Sequence, residues 1–280
     1  MRRLTKHLLG RVCSVGLLAI TLTLGLSACQ RGGDARGAIG GGAIGGGAIA
    51  IDGAAPAGFG STSSAIAPGS IEFPGGVWDQ RKQAGDVDIP EVQDMKRIIR
   101  ESEAVSGIEV MGLTREHARF LNLPFYQTGK VRKDPIGPAD VAIVAELLRE
   151  LQPEIIFVAG DLSDPHGTHR MCKEAIDRAL LEVYGGPNAP IAPQVWLYRG
   201  AWQEWPVTEA TVLVPLSQEE LTLKIQAIFK HQSQKDSAPF PGQDAREFWQ
   251  RVEHRNKATS AQLDQLGLAE YFAMEAYVIA

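Results

Sequence analysis

The chain is 280 residues long, 44% apolar and 22% charged, with a formal net charge of −5. That length and apolar share suffice for one sizeable core or two small ones. The acidic balance disfavours nucleic-acid binding, which needs a basic surface, and three cysteines give no disulfide framework.

The opening residues stand apart from any core. Arg2, Arg3, Lys6 and Arg11 make a basic start, Val12 to Leu26 is an apolar run too short for a comfortable membrane span, and small residues follow. This is the pattern of a secretion signal. It ends in Leu26-Ser27-Ala28-Cys29, which resembles the lipobox of bacterial lipoproteins. The resemblance implies cleavage before Cys29 and acylation of its thiol, which would tie the protein to a membrane leaflet without crossing it, facing the periplasm or the cell exterior. A bare signal anchor is the alternative. Without residues 1–28 the chain carries 24 basic side chains against 33 acidic ones, a net charge of −9.

Residues 31–87 hold 16 of the 30 glycines and a short repeat, Gly-Ala-Ile-Gly-Gly at 37 and 42 and then Gly-Ala-Ile-Ala-Ile at 47. Such a segment loses too much backbone entropy to fold by itself, so 29–87 is expected to be a lipidated, flexible tether. The alternative is that Ala48 to Asp52 or Ser70 to Phe73 adds a strand to a sheet elsewhere.

From Ile89 onward the pattern changes, and 88–280 is expected to be the folded domain. Pro90 suits a first helical turn, and Met95, Ile98, Ile99, Val105, Ile108 and Met111 recur at helical steps, as on a buried face. Gly107 to Val110 could alternatively be a strand. Arg119 to Leu123 reads as a short strand, Pro138 to Leu151 as a helix with Val141, Val144, Ala145 and Leu148 inward, and Glu154 to Ala159 as a buried parallel-type strand. A helix follows at Thr168 to Tyr184, with Cys172 as a core residue. Then come strands at Val195 to Tyr198 and Thr211 to Val214, and helices at Gln218 to Lys230, Ala245 to Asn256 and Ser260 to Leu266. A last strand is expected near Met274 to Ile279. Alternation of this kind predicts an α/β fold with a mostly parallel sheet and flanking helices.

The residues with most chemistry follow the strand at 154–159. Asp161, Asp164, His166 and His169 lie in one loop, and ligands in open α/β sheets sit at the carboxyl ends of strands. His166 and His169 are three apart, so a helix starting there would put both imidazoles on one face. Asp161 and Asp164 could hold an imidazole tautomer or cap the helix.

The run Ala159-Gly160-Asp161-Leu162-Ser163-Asp164-Pro165-His166-Gly167-Thr168-His169-Arg170 resembles the second metal motif of the PIG-L/LmbE family of zinc-dependent de-N-acetylases. The subgroup fused behind glucosamine-6-phosphate deaminase is the most similar. Supporting stretches are Leu123 to Lys133, Trp196 to Trp205 and Ile228 to Lys235. The resemblance covers about 88–280 and implies a Rossmann-like sheet, a zinc ion and hydrolysis of the N-acetyl group of a glucosamine-type sugar. It makes His169 the zinc ligand and His166 the imidazole that steadies the oxyanion or protonates the leaving amine, with Asp161 and Asp164 as possible substitute ligands or catalytic carboxylates. Zinc would polarise the amide carbonyl and acidify a bound water.

Arg132, Arg199, Trp202 and His231 are the candidate substrate-binding residues. Lys130, Arg132 and Lys133 could meet a sugar phosphate or form a solvated charge run. Trp202 and Trp205 could stack on a sugar ring or pack against the domain. His231 ends an amphipathic helix, where positive charge suits the dipole. The family's His-Pro-Asp-Asp motif, which supplies two more ligands and the base, does not occur in these 280 residues. The histidine nearest in sequence before the loop, His117, is expected at the surface. Impaired or lost catalysis follows, with a non-catalytic carbohydrate-binding or interaction module as the alternative. The family's first two strands are expected to be missing, leaving the strand near 119 to be completed by Ala48 to Ile51 or by a partner chain.

Overall fold

The computed structural model describes residues 19–22, 48–51, 87–126, 133–160, 167–199, 204–233, 246–268 and 270–280. In chain order the elements are β1 (Ala19–Leu22), β2 (Ala48–Ile51), α1 (Pro90–Val110), β3 (Ala118–Phe120), α2 (Pro138–Leu151), β4 (Ile155–Ala159), α3 (Thr168–Tyr184), β5 (Gln194–Tyr198), β6 (Val212–Leu216), α4 (Gln218–Phe229), α5 (Phe248–Gln265) and β7 (Ala273–Ile279). A four-stranded sheet runs in the order β4-β5-β7-β6.

The α/β layering is the one expected. Three of the four strands, β4, β5 and β6, point the same way, with β4 and β5 paired in parallel, while β7 runs antiparallel between β5 and β6. The β4-α3-β5 connection is a crossover that returns the chain in the same direction to the neighbouring strand, and β6, on the far side of β7, runs that way again.

Around β4 the alternation of the strand decides what is buried. Ile156 and Val158 face α2 and α3, where Val144, Ala145 and Leu148 of α2 and Cys172, Ala175, Ile176 and Ala179 of α3 close the core. Leu148 and Ile156 are fully buried, and Cys172 is a buried thiol within this cluster. Phe157 points the other way and meets Trp196 and Tyr277 at ring-centroid distances of 5.4 and 5.5 Å. The helix limits also follow local chemistry. Pro138 opens α2, and the buried Asp140 carboxylate accepts from the backbone N–H of Gly137 at 2.8 Å and of Phe125 at 2.9 Å. That pair of bonds fixes the loop after β3 onto the helix start. Ser217 and Glu220 form a reciprocal capping box at the start of α4.

Gly107 to Val110 are helical and belong to α1, as its spacing predicts, and the alternative strand does not form. Several other expectations are corrected. Ile108 is buried, but Met95, Ile98, Ile99 and Met111 are 37%, 55%, 43% and 51% exposed, because α1 packs on the rest of the described domain near its C-terminal end. The two helices expected between 245 and 266 are one, α5, since nothing between Asn256 and Ser260 breaks helical geometry. His117 is buried rather than at the surface. Its Nδ1 lies 2.9 Å from Thr114 Oγ1 and accepts from the Thr114 N–H at 3.1 Å, so it caps the turn before β3.

The edge of β3 is not bare. Ala48–Ile51 pairs with it antiparallel, Ile49 opposite Phe120, and Ala19–Leu22 pairs in turn with Ala48–Ile51. β1 also lies beside β4. Two short strands thus precede β3, and one of them comes from the apolar run expected to be a secretion signal. No described helix is long and apolar enough to cross a membrane.

Candidate functional site

The parallel pair β4 and β5 ends on one side of the sheet, and that end defines the site. Gly160 N–H donates to Tyr198 O at 2.7 Å, carrying the ladder one residue past β4. Seven residues later Gly167 caps the start of α3 in the left-handed region, φ 68°. A side chain there would be strained, and its Cβ would stand 2.7 Å from an Arg170 nitrogen. The tight entry places Thr168 and His169 in the first turn of α3, where both are buried, His169 to 7% exposure. The Thr168 hydroxyl finds no hydrogen-bond partner among the described residues.

The wall beside this strand end comes from the segment after β5. Trp205 Nε1–H donates to Leu197 O at 2.8 Å, and its ring sits so near Gly160 that a Cβ on that glycine would come within 3.0 Å of it. Glycine is therefore required at 160 by close approach, not by backbone angle. The Arg199 guanidinium stacks on the Trp205 ring, 4.8 Å from its centroid, while its buried Nε finds no hydrogen-bond partner among the described residues. Trp205 is a packing residue here, and Arg199 keeps unused donor capacity.

Behind Trp205 lies a group of charges that the sequence patterns did not reveal. Glu204 accepts from Trp205 N–H at 3.2 Å and from Asn256 Nδ2 at 3.3 Å. Asn256, with no exposed surface, also donates to Met274 O at 3.1 Å and accepts from Lys224 Nζ at 2.9 Å. Lys224 pairs with Glu275, which accepts in addition from Tyr277 O–H at 2.7 Å. Burial pushes the Glu204 carboxyl above the usual range, against the opposing pull of Arg255. Burial would do the same to Glu275, but the Lys224 charge and the hydrogen bonds from Lys224 and Tyr277 hold it below. Tyr277 is raised well above the ordinary phenol by burial, with the Glu275 charge adding to it.

A second polar group lies where α1 meets the end of α4. Arg100 and Glu103 side chains are 10% and 11% exposed and 3.8 Å apart. Glu103 accepts from Ser233 N–H at 2.6 Å and from its hydroxyl at 2.7 Å. Arg100 Nε and Nη1 make no hydrogen bond among the described residues, and burial lowers its guanidinium to about 10. A buried arginine with donors not used in hydrogen bonds among the described residues is a ligand-binding candidate that no sequence motif marks. His231 packs here too, its Nε2 3.1 Å from where a Cβ on Gly107 would stand. The expected cation at this helix end is corrected: burial lowers the imidazole, Arg100 adds to the shift, and Glu103 only partly offsets it, so the neutral form is favoured.

Of the residues singled out in the sequence, His169 and Arg199 stand at the strand-end site, and His231 belongs to the α1–α4 group. Asp161, Asp164, His166, Arg132, Trp202 and Cys29 lie outside the described residues. Among the described residues no group of three His, Cys, Asp or Glu side chains could hold a metal ion. His169 by itself falls short of the roughly three protein ligands a catalytic zinc takes, so the described donors do not make up a zinc site.

Residues 75–180 match the family described as PIG-L, GlcNAc-PI de-N-acetylase. A glucosamine-6-phosphate deaminase-like protein of Bacteroides thetaiotaomicron is 50% identical over 200 residues, which is 71% of this chain and 30% of that protein. The chain therefore spans about a third of the curated relative it matches. Among solved structures, the 4-carboxy-2-hydroxymuconate hydratase GalB of Pseudomonas putida is similar with a TM-score of 0.49 and 15% identity, covering 67% of this chain and 73% of that one. The zinc-inhibited form of teicoplanin deacetylase Orf2 gives 0.38 and 16%, covering 69% and 76%.

Proposed function

We propose that this chain, which carries PIG-L-type sequence across residues 75–180, is an envelope-anchored amino-sugar deacetylase-type domain with impaired or lost hydrolysis. The observation that carries the site is the buried His169 in the first turn of α3, directly beyond the end of β4. A strand-to-helix junction in an open α/β sheet is where such folds bind ligands. His169 would be the metal ligand and His166 the acid that protonates the leaving amine. Arg199, with its buried Nε idle beside the strand end, would bind the sugar.

Impairment rests on the absence of a His-Pro-Asp-Asp motif from the 280 residues and on the donor count above. Zinc is the metal the family implies. Attachment to the membrane by Cys29 remains part of the proposal and rests on the lipobox resemblance. The strand at Ala19–Leu22 uses residues that signal cleavage would remove.

The test is metal content and activity of the purified chain against its H169A variant. Stoichiometric zinc lost in H169A, with slow release of acetate from N-acetylglucosamine derivatives, supports a working but weak enzyme. Saturable binding of glucosamine derivatives without acetate release supports the second reading, a carbohydrate-binding module, which the missing motif favours. Neither zinc nor binding in a cooperatively folded protein overturns both.

A further inference from the structure

We propose that Glu204 is a positioning residue that holds Trp205 and Arg199 against the end of β4 by tying them to the charge network of α4, α5 and β7. The inference rests on the reading above only in taking that strand end as the site.

The geometry is a relay of contacts with one connecting residue. On the site side, Trp205 touches Gly160 and carries Arg199 on its ring. On the far side, Lys224 of α4, Asn256 of α5 and Glu275 and Tyr277 of β7 are joined by hydrogen bonds. Glu204 belongs to both: one carboxylate oxygen takes the Trp205 backbone N–H, the other takes the Asn256 amide. Trp205 has a second bond, from its indole to Leu197 O on β5. A ring held by its indole alone can pivot about that bond, whereas the added backbone bond fixes the direction of approach to Gly160. Asn256 is itself clamped by the Met274 carbonyl and Lys224, so the anchor cannot follow a moving loop.

The charges facing Glu204 balance. Lys224 from α4 and Arg255 from α5 oppose Glu204 itself and Glu275 from β7, with Tyr277 neutral. Such a network keeps a half-buried carboxylate in place without leaving a net charge in the interior.

The test reads exchange rather than activity. The full-length protein is labelled with nitrogen-15 at its five tryptophans, and the Trp205 signals are assigned with W205F. Exchange of the Trp205 indole and backbone N–H is then compared in wild type, E204A and E204Q. E204A is expected to speed both by about fivefold or more, the scale of one lost hydrogen bond, with α3 core amides unchanged. E204Q keeps one oxygen for the Trp205 N–H but turns an NH2 toward the Asn256 amide, so its exchange is expected to fall between wild type and E204A. Trp205 exchange unchanged in E204A would overturn the proposal. So would equal acceleration at Trp205 and throughout α3, which would make Glu204 a contributor to global stability alone. If E204A does not fold, E204D, whose shorter arm cannot reach both partners, carries the same comparison. Because no metal or sugar is needed, this result stands apart from whether the site deacetylates anything.

Discussion

The two faces of the β4-β5-β7-β6 sheet are held by different forces. On one, Ile156 and Val158 lock into α2 and α3 through apolar contact, with Leu148, Ala175 and Ala179 leaving no exposed surface. On the other, Phe157, Trp196 and Tyr277 lead to a hydrogen-bonded group of Glu204, Lys224, Asn256 and Glu275, drawn from α4, α5, β7 and the segment after β5, with the Arg255 charge nearby. Apolar packing is insensitive to pH and tolerates no lost volume. The charged group tolerates volume change but depends on every member keeping its partner.

The largest expected effect is on the apolar face. Ile156→Ala should cost about 2–5 kcal/mol in denaturant unfolding, since the site cannot collapse between two helices. A loss below about 1 kcal/mol would mean this face is not close-packed.

Lys224→Met comes next. It leaves Glu275 without its cation and should cost about 1–3 kcal/mol, the range for a charged hydrogen bond that keeps some access to water. The loss should shrink on acidification. Glu275 has a depressed folded-state value, so its stabilising contribution is present above the unfolded carboxylate range and is lost as pH falls through the folded value. An undiminished cost at low pH would show that packing of the Lys224 stem, not charge, dominates.

Glu204 responds with the opposite sign. Its folded-state value is raised, so its charged form loses stability as pH rises from the ordinary glutamate range upward. The stability of E204Q relative to wild type should therefore be greatest at neutral pH and decline as pH falls through that window, read from paired thermal melts. A difference that does not change with pH would remove Glu204 from the titrating part of the network.

The smallest effect is expected where charge pairs lie in water. Arg149 and Glu182 meet at 2.6 Å between α2 and α3 but are 54% and 48% exposed. Arg149→Ala should change stability by about 0.5 kcal/mol or less, and less still in salt.

Much of the apolar face was legible in the sequence. α2 begins at Pro138 with Val141, Val144, Ala145 and Leu148 inward, and α3 spans Thr168–Tyr184, as the helical spacing predicts. The buried character of Ile156 and Val158 follows from an apolar strand flanked by helices. These are local patterns, since 3.6-residue and two-residue periods record which side of an element meets the core.

The site was legible in part. His169 could be placed at a strand end from spacing and resemblance, but Arg100 and Glu204 could not. Each is one charged residue in an unremarkable stretch, and its meaning comes from partners far away in the chain. Glu204 meets Asn256, and Glu103 beside Arg100 meets Ser233, at separations of 52 and 130 residues.

What the sequence determined by itself was the order and type of most elements and the family resemblance carried by Ala159 to Arg170. Both are properties of neighbouring residues. Tertiary structure decided that β2 pairs with β3, that His117 is buried in a cap, that burial lowers the His231 imidazole, and that most of the expected apolar face of α1 stays exposed. Burial and pKa depend on what approaches from elsewhere in the chain, and no period within one element encodes that approach.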